Sequence, residues 1–103
     1  MRSFQRGAVR LHVLHHAARE PVHGTWLIAE LQKHGHDVSP GTLYPILHSM
    51  EGNGLITSEH NVIDGKRLRR YVITDQGRAA LEEAKLMLGH LCHELLGHPR
   101  PPN

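Results

Sequence analysis

The sequence predicts a mainly α-helical fold with one small β-hairpin and a long C-terminal helix. Apolar residues recur at three- and four-residue spacing in four separate segments, which is the spacing of one helical face. Two short segments, 55–58 and 70–74, are instead rich in residues typical of strands, and Asp64-Gly65 between them is a strong hairpin-turn signal. The chain has 103 residues, the size of one domain.

The first two helices are delimited by proline and glycine. Glu20-Pro21 ends the first, because proline disfavours the α region for the residue before it. A second helix follows from about His23 to His34, and Gly35 is a suitable stop. The predicted apolar face of the first helix comprises Phe4, Ala8, Leu11, Leu14 and Ala18.

The third helix begins at Ser39-Pro40, where serine is a favoured N-cap and proline is tolerated at the first helical position. Pro45 lies inside this helix and removes a backbone hydrogen bond, which predicts a slight bend. The Gly52-Asn53-Gly54 run ends it. Its predicted buried stripe is Leu43, Ile46, Leu47 and Met50.

The β-hairpin follows, and Thr74 is placed to cap a last helix from about Asp75 to Leu96. A trihelical unit followed by a basic hairpin is the arrangement of a winged helix-turn-helix, in which the third helix enters the DNA major groove. The chain then divides into a DNA-binding domain, 4–74, a C-terminal dimerisation helix, 75–98, and a disordered tail, 99–103.

Several of these segments resemble the PadR family of transcriptional regulators. The resemblance rests on VHGTWLI at 22–28, VSPGTLYPILH at 38–48, GLI at 54–56 and RYVIT at 70–74 with Gly77, and it covers roughly residues 8–95. It implies a homodimeric repressor that binds a palindromic operator in double-stranded DNA and is often released by a small-molecule inducer. One terminal helix after the wing is similar to the short members of the family.

The DNA-binding residues are predicted on the third helix and the hairpin. On the third helix they are Ser39, Gly41, Thr42, Tyr44 and His48, of which all but Gly41 are assigned to base edges. On the hairpin they are Lys66, Arg67, Arg69 and Arg70, which could contact phosphates or enter a minor groove, with a solvated loop as the alternative. Residues 39–52 contain no Lys or Arg, and Ser49 stands where the family often has Arg. Base reading would therefore rest on hydroxyls and imidazole, while affinity would depend on the wing and on the arginines of the first helix.

The terminal helix carries a stripe typical of a coiled-coil seam, which predicts pairing with a second subunit. The alternative is that the stripe packs back on the first helix of the same chain. The stripe comprises Leu81, Ala84, Leu88, Leu91 and Leu95. Short family members bind flat aromatic drugs through a tryptophan on this helix. The only tryptophan here, Trp26, lies on the second helix, so a stacked planar drug is not predicted.

Eleven histidines suggest a second hypothesis, a metal-responsive sensor of the same fold. The spacings of His12 with His16, and of His90 with His93, place each pair on one helical face and make them candidate ligands. Paired Cys motifs are absent, so surface or partly buried histidines are the favoured interpretation and no cofactor is predicted. The one cysteine, Cys92, excludes an intrachain disulfide and is expected to be a small buried hydrophobic residue.

No nucleophile motif, phosphate loop or carboxylate pair points to an enzyme. No apolar run reaches the roughly 18 residues of a membrane span and there is no signal-peptide pattern, so a cytoplasmic, non-membrane protein is expected. A third hypothesis is a protein-interaction module without DNA binding, which the lack of Lys and Arg in the third helix favours.

Overall fold

A computed structural model describes residues 2–97. The elements in chain order are α1 (Ser3–Arg19), β1 (Val22–His23), α2 (Gly24–Lys33), α3 (Pro40–Gly52), β2 (Ile56–Ile63), β3 (Lys66–Ile73) and α4 (Asp75–Leu96). The predicted mainly helical fold with a small β element is confirmed. The predicted tail 99–103 and His98 lie outside the described residues.

One hydrophobic core joins the helices and the sheet. It comprises Val9, Val13, Leu14, Ala17, Val22, Leu27, Leu31, Val38, Leu43, Ile46, Leu47, Met50, Ile56, Tyr71, Ile73 and Leu81. All four residues of the predicted α3 stripe are fully buried. The helix runs unbroken through Pro45, which is exposed on the opposite side. The burial of one apolar stripe therefore fixes which edge of α3 remains on the surface.

The predicted core face of α1 is wrong in part. The buried residues are Val9, Val13, Leu14 and Ala17, whereas the side chain of Phe4 is 82% exposed. Two apolar stripes overlap on this helix, and the one that carries the valines faces α3 and the sheet. Leu11, on the predicted stripe, lines a groove against α4 instead.

The sheet has three strands, not the two that the sequence predicted. Val22 and His23 pair antiparallel with Tyr71 and Arg70 of β3, which gives the order β1-β3-β2. Residue 23 therefore precedes α2 as part of a strand, and the predicted helix start at His23 is one residue early. A two-residue strand has too few residues for an alternating pattern, and its partner lies about 50 residues later in the chain.

Strands β2 and β3 extend well beyond the predicted segments and form the wing. They pair from Ile56 with Ile73 at the core to Ile63 with Lys66 at the tip. The predicted turn is confirmed: Asp64 and Gly65 adopt φ of 51° and 76°, the left-handed conformation that a tight hairpin turn requires.

Helix α4 is fixed to the domain at its first turn. The predicted N-cap is confirmed, since the Thr74 hydroxyl accepts a hydrogen bond of 2.9 Å from the Gly77 N–H. The same hydroxyl donates to the Gly54 carbonyl at 2.6 Å, which joins the helix start to the loop after α3. Further along, the Arg78 side chain donates to the Ala18 carbonyl at 3.1 Å and so joins α4 to the end of α1.

Beyond its second turn, α4 is largely exposed. Leu81 is only 5% exposed and belongs to the core of its own chain, whereas Leu88, Leu91 and Leu95 are 48%, 41% and 67% exposed. Leu81 thus packs mainly within its own chain, and its place in a seam between subunits stays a prediction. Cys92 is half-buried and not fully buried as expected. Across residues 2–97, every helix is too short or too polar to span a bilayer.

Candidate nucleic-acid interface

The surface edge of α3 carries the residues that were predicted to read bases. Ser39, Gly41, Tyr44 and His48 are exposed and Thr42 is half-buried. They lie opposite the buried stripe, because residues three and four apart share one side of a helix. The edge presents two small hydroxyls, a phenol and an imidazole, all of which exchange hydrogen bonds with base edges.

Ser39 occupies the N-cap position of α3, but its side chain does not cap the helix. Its hydroxyl lies 3.2 Å from the hydroxyl of Thr42, and no side-chain bond to the helix backbone is formed. The predicted cap is thus confirmed in position and wrong in its hydrogen bond. The consequence is a pair of adjacent hydroxyls at the exposed start of the helix.

Tyr44 packs against the start of α2, in space left by a glycine that sequence reasoning had not assigned to the site. A Cβ atom built on Gly24 would lie 2.7 Å from the Tyr44 hydroxyl oxygen, closer than such contacts permit. Only glycine therefore leaves room for the ring, which stays 39% exposed. The sequence offered Gly24 only as part of the family resemblance, and its packing against Tyr44 shows what it does.

The wing presents Arg67 and Arg69 on the face that continues from the core. Side chains alternate along a strand, so these two share a face with Tyr71, which is 2% exposed. Burial raises the pKa of the Tyr71 hydroxyl, while a hydrogen bond from Arg69 and its charge oppose that shift. The Glu51 carboxylate at the end of α3 bonds Ser58, which is directly opposite Tyr71 in the strand register, so the end of α3 lies beside the same face. The sequence alone did not show which face of the hairpin lies beside α3.

The remaining two basic residues of the wing differ from this pair. Lys66 is exposed at the tip, on the opposite face. Arg70 is opposite Glu59 in the register and forms an ion pair with it, in which Nε donates to Oε1 at 2.8 Å. The charge of Arg70 is therefore balanced within the wing, and Arg70 is set apart from the other predicted backbone contacts.

Three hydrogen bonds, made by two side chains, fix the wing relative to the helices. The Glu51 carboxylate at the end of α3 accepts from the Ser58 hydroxyl at 2.7 Å and from the Ser58 N–H at 3.2 Å. On the other side, Nδ1 of His23 lies 3.3 Å from the Arg69 carbonyl, to which it donates. His23 is thus a structural hydrogen-bonding residue, as predicted.

The candidate metal ligands do not form a metal centre. His12 packs on His16, His34 and His36 with ring centroids 5.8, 5.5 and 4.8 Å apart, a stacked and edge-to-face cluster. His90 and His93 lie exposed on α4. Within residues 2–97, no three His, Cys, Asp or Glu side chains converge on a point that an ion could occupy. The metal-sensor hypothesis receives no support from this geometry.

Comparison with known proteins agrees with the geometry. The model of the transcriptional regulator PadR-like family matches residues 13–83, which is more than half of the chain. The chain belongs to the PadR family. The predicted resemblance is thereby confirmed, and this PadR-family member is a transcriptional regulator rather than an enzyme.

Individual relatives match along nearly the whole chain. This chain is 58% identical over 97 residues to the transcriptional regulator Rv3488 of Mycobacterium tuberculosis, and the match covers 94% of this chain and 91% of that protein. A PadR-like regulator of Bacillus cereus is 31% identical with a TM-score of 0.84, over 93% of this chain and 95% of that one. A PadR-family regulator of Eggerthella lenta is 33% identical with a TM-score of 0.79, over 89% and 81%.

Proposed function

We propose that this PadR-family regulator is a repressor that binds a palindromic operator as a homodimer. The observation that carries the proposal is the shared face of α3 and the wing. The end of α3 bonds Ser58 through Glu51, on the strand face that Tyr71, Arg69 and Arg67 share, and the opposite edge of α3 is exposed. A helix edge of hydrogen-bonding groups flanked by exposed cations suits a major groove and its adjacent phosphates.

The side chains of α3 and of the wing suit different parts of the DNA. Ser39, Thr42, Tyr44 and His48 read base edges, with Gly41 allowing close approach of the helix to the DNA. Lys66, Arg67 and Arg69 contact phosphates, which makes affinity strongly dependent on salt. Because α3 has no Lys or Arg, the phosphate contacts of the wing supply most of the affinity and α3 supplies the discrimination.

Dimerisation through α4 places two such faces on one operator. The exposed Leu88, Leu91 and Leu95 continue a groove that α4 forms with α1, lined by Leu11, Leu81 and Ala84. The α4 helix of a second copy would cover this surface and bury its apolar groups. Half-sites are then expected about 34 Å apart, one turn of DNA, or a multiple of that distance.

The test is a salt titration of DNA binding by fluorescence anisotropy, with DNA from upstream of the protein's own gene. Arg67→Ala combined with Arg69→Ala should weaken binding to every DNA sequence. The slope of log K against log salt should fall by about one unit for each phosphate that the variant no longer neutralises. Lys33→Ala combined with Lys85→Ala removes the same charge from α2 and α4 and should leave the slope almost unchanged.

Two outcomes would overturn the proposal. Equal losses of affinity in the two double variants would mean that only net charge matters. Binding by the wild-type protein that never exceeds binding to random DNA would favour the protein-interaction module instead. Repression itself is tested by a reporter gene behind the same upstream DNA, whose expression should rise when the regulator is removed.

A further inference from the structure

A recess of about 430 Å³ lies away from both the proposed DNA-binding face and the α4 stripe. It is formed where the end of α1, strand β1 and the first turns of α2 meet. His16 and Glu20 line it from the α1 side, and Trp26 and Glu30 line it from α2. A volume of this size accommodates a small organic molecule.

The side chain of Trp26 is 45% exposed at this recess. Its ring meets His16 edge-on, with centroids 5.1 Å apart and an angle of 81° between the planes. The contact orients the indole while part of its surface remains open. An ordered, open indole in a concave site is the group that best attracts an organic cation through its ring electrons.

The charge around the indole has the matching sign. Glu20 and Glu30 contribute two carboxylates, against one cation, Arg19. Glu30 is mostly covered, with 18% of its side chain exposed, and is oriented by a 3.0 Å hydrogen bond between its Oε1 and Nε2 of His34. Burial lowers the pKa of His16, with the charge of His15 next, so His16 adds no positive charge at neutral pH.

We infer that this recess binds a small quaternary ammonium cation, with its methyl groups against Trp26 and its charge balanced by Glu20 and Glu30. A quaternary ammonium group has no N–H donors, so it needs the apolar surface of Trp26 and Pro21 more than it needs hydrogen-bond acceptors. Such a ligand differs from a flat aromatic drug stacked between terminal helices.

The recess is connected directly to both DNA-reading elements. Two of its lining residues, Val22 and His23, form the strand that pairs with β3, and the His23 ring bonds the Arg69 carbonyl. The next residue, Gly24, is in contact with Tyr44 of α3. A bound cation that shifts β1 therefore moves the wing and Tyr44 together. This regulatory step rests on the proposed function, whereas binding of the cation does not.

Binding is tested by titrating the protein with choline while recording the fluorescence of Trp26, which is the single tryptophan of the chain. The neutral isostere 3,3-dimethylbutan-1-ol has the same shape without the charge. Choline should give a saturable change, with an affinity at least about tenfold above that of the alcohol. Equal affinities, or no saturable change with choline, would overturn the inference.

A matched pair of variants assigns the site. Glu30→Gln keeps the indole and a hydrogen-bonding group beside His34, and should weaken choline binding about tenfold. Glu82→Gln removes a carboxylate from α4, beside Lys85, and should change nothing. Weakening by both variants to the same extent would show general charge attraction and contradict a built site.

Regulation is tested by repeating the DNA titration with saturating choline chloride against sodium chloride at equal concentration. DNA affinity should change at least about threefold with choline, and the same change in Glu30→Gln should require about tenfold more choline. An unchanged DNA affinity would contradict the coupling. A wild-type protein that does not bind DNA in either salt would overturn the proposed function, while the fluorescence titration would still decide the site.

Discussion

At the residue scale, Gly77 shows how one missing side chain sets a whole helix in place. A Cβ atom at this position would lie 2.1 Å from the Leu55 carbonyl oxygen and 2.8 Å from Ile73 Cγ1. The obstruction is backbone, which cannot rotate away. The first turn of α4 therefore approaches the loop after α3 only because residue 77 is glycine, and the same turn supplies the N–H that Thr74 caps.

Gly77→Ala should lower the free energy of unfolding by about 1–3 kcal/mol, because the helix must move away from Leu55. Urea unfolding followed by circular dichroism measures it. Gly7→Ala is the matched control, since Gly7 is also helical and has open space around its Cβ position. That substitution should instead stabilise the protein by about 0.5–1 kcal/mol. A Gly77→Ala protein as stable as wild type would contradict the packing argument.

At the scale of the element, α3 keeps a proline where a purely structural helix would not. Pro45 lacks the N–H that would bond the carbonyl four residues earlier, yet the helix continues from Pro40 to Gly52. The buried apolar stripe on the other side of α3 stabilises the helix. The cost of the proline is therefore carried by tertiary packing, and we interpret the residue as shaping the surface that faces DNA.

Pro45→Ala should raise the free energy of unfolding by about 1–3 kcal/mol, because it restores a helix-forming residue inside the helix. Pro40→Ala is the control, since proline at the first helical position costs little and its replacement should change stability by less than about 1 kcal/mol. Thermal unfolding of both variants measures these changes in stability. If Pro45→Ala also left DNA affinity unchanged, the functional interpretation of the proline would be wrong.

The contact between α1 and α2 contains a second unusual feature, the packed histidines. Burial is the main cause that lowers the pKa of both His12 and His16, and neighbouring histidines add to it, His36 for the first and His15 for the second. The Nδ1 atom of His12 and the Nε2 atom of His16 are buried, and no group within residues 2–97 forms a hydrogen bond with either. Protonation therefore favours the unfolded chain, in which both rings are fully hydrated.

The two neutral histidines make the stability of the fold depend on pH. Because the folded pKa values lie below the unfolded value of about 6.5, the fold has its full stability from these residues above that pH. This stability is lost as the pH falls through the lowered folded values. We expect the melting temperature to drop between pH 7.5 and pH 5. The combination His12→Gln with His16→Gln should make that drop smaller, and an unchanged drop would contradict the assignment.

At the scale of the whole molecule, residues 2–97 leave an apolar surface on α4 exposed. Leu88, Leu91 and Leu95 project from α4 beyond the part that packs on α1, and Phe4 is exposed on α1. Large exposed side chains in one contiguous stripe are unfavourable in water and mark an interaction surface. A homodimer through α4 would bury these side chains and set the distance between the two α3 helices that contact DNA.

Leu88→Glu combined with Leu91→Glu should weaken dimerisation by at least about tenfold, because the dimer would bury two unpaired charges per subunit. Sedimentation velocity over a range of protein concentrations measures it. Leu86→Glu is the control, since Leu86 is also exposed but lies on the other side of α4. A monomeric wild-type protein, or equal effects of the two variants, would contradict the predicted interface.

Local patterns in the sequence determined much of this protein. The stripe of α3, the cap at Thr74 and the Asp64-Gly65 turn all depend on residues within a few positions of each other. Helical periodicity, capping and turn preference act over that range, so these features could be read directly. The PadR segments likewise indicated the family before any contact was known.

Other features depended on contacts between distant segments, and only the tertiary structure decided them. Strand β1 exists because Val22 meets Tyr71, the ring of Tyr44 is placed by Gly24, and Arg70 is paired by Glu59 across the wing. The burial of Leu81 and the exposure of Phe4 were also set by which stripe of α1 faced the core. Periodicity shows that a residue belongs to an apolar face, but only packing determines what that face meets.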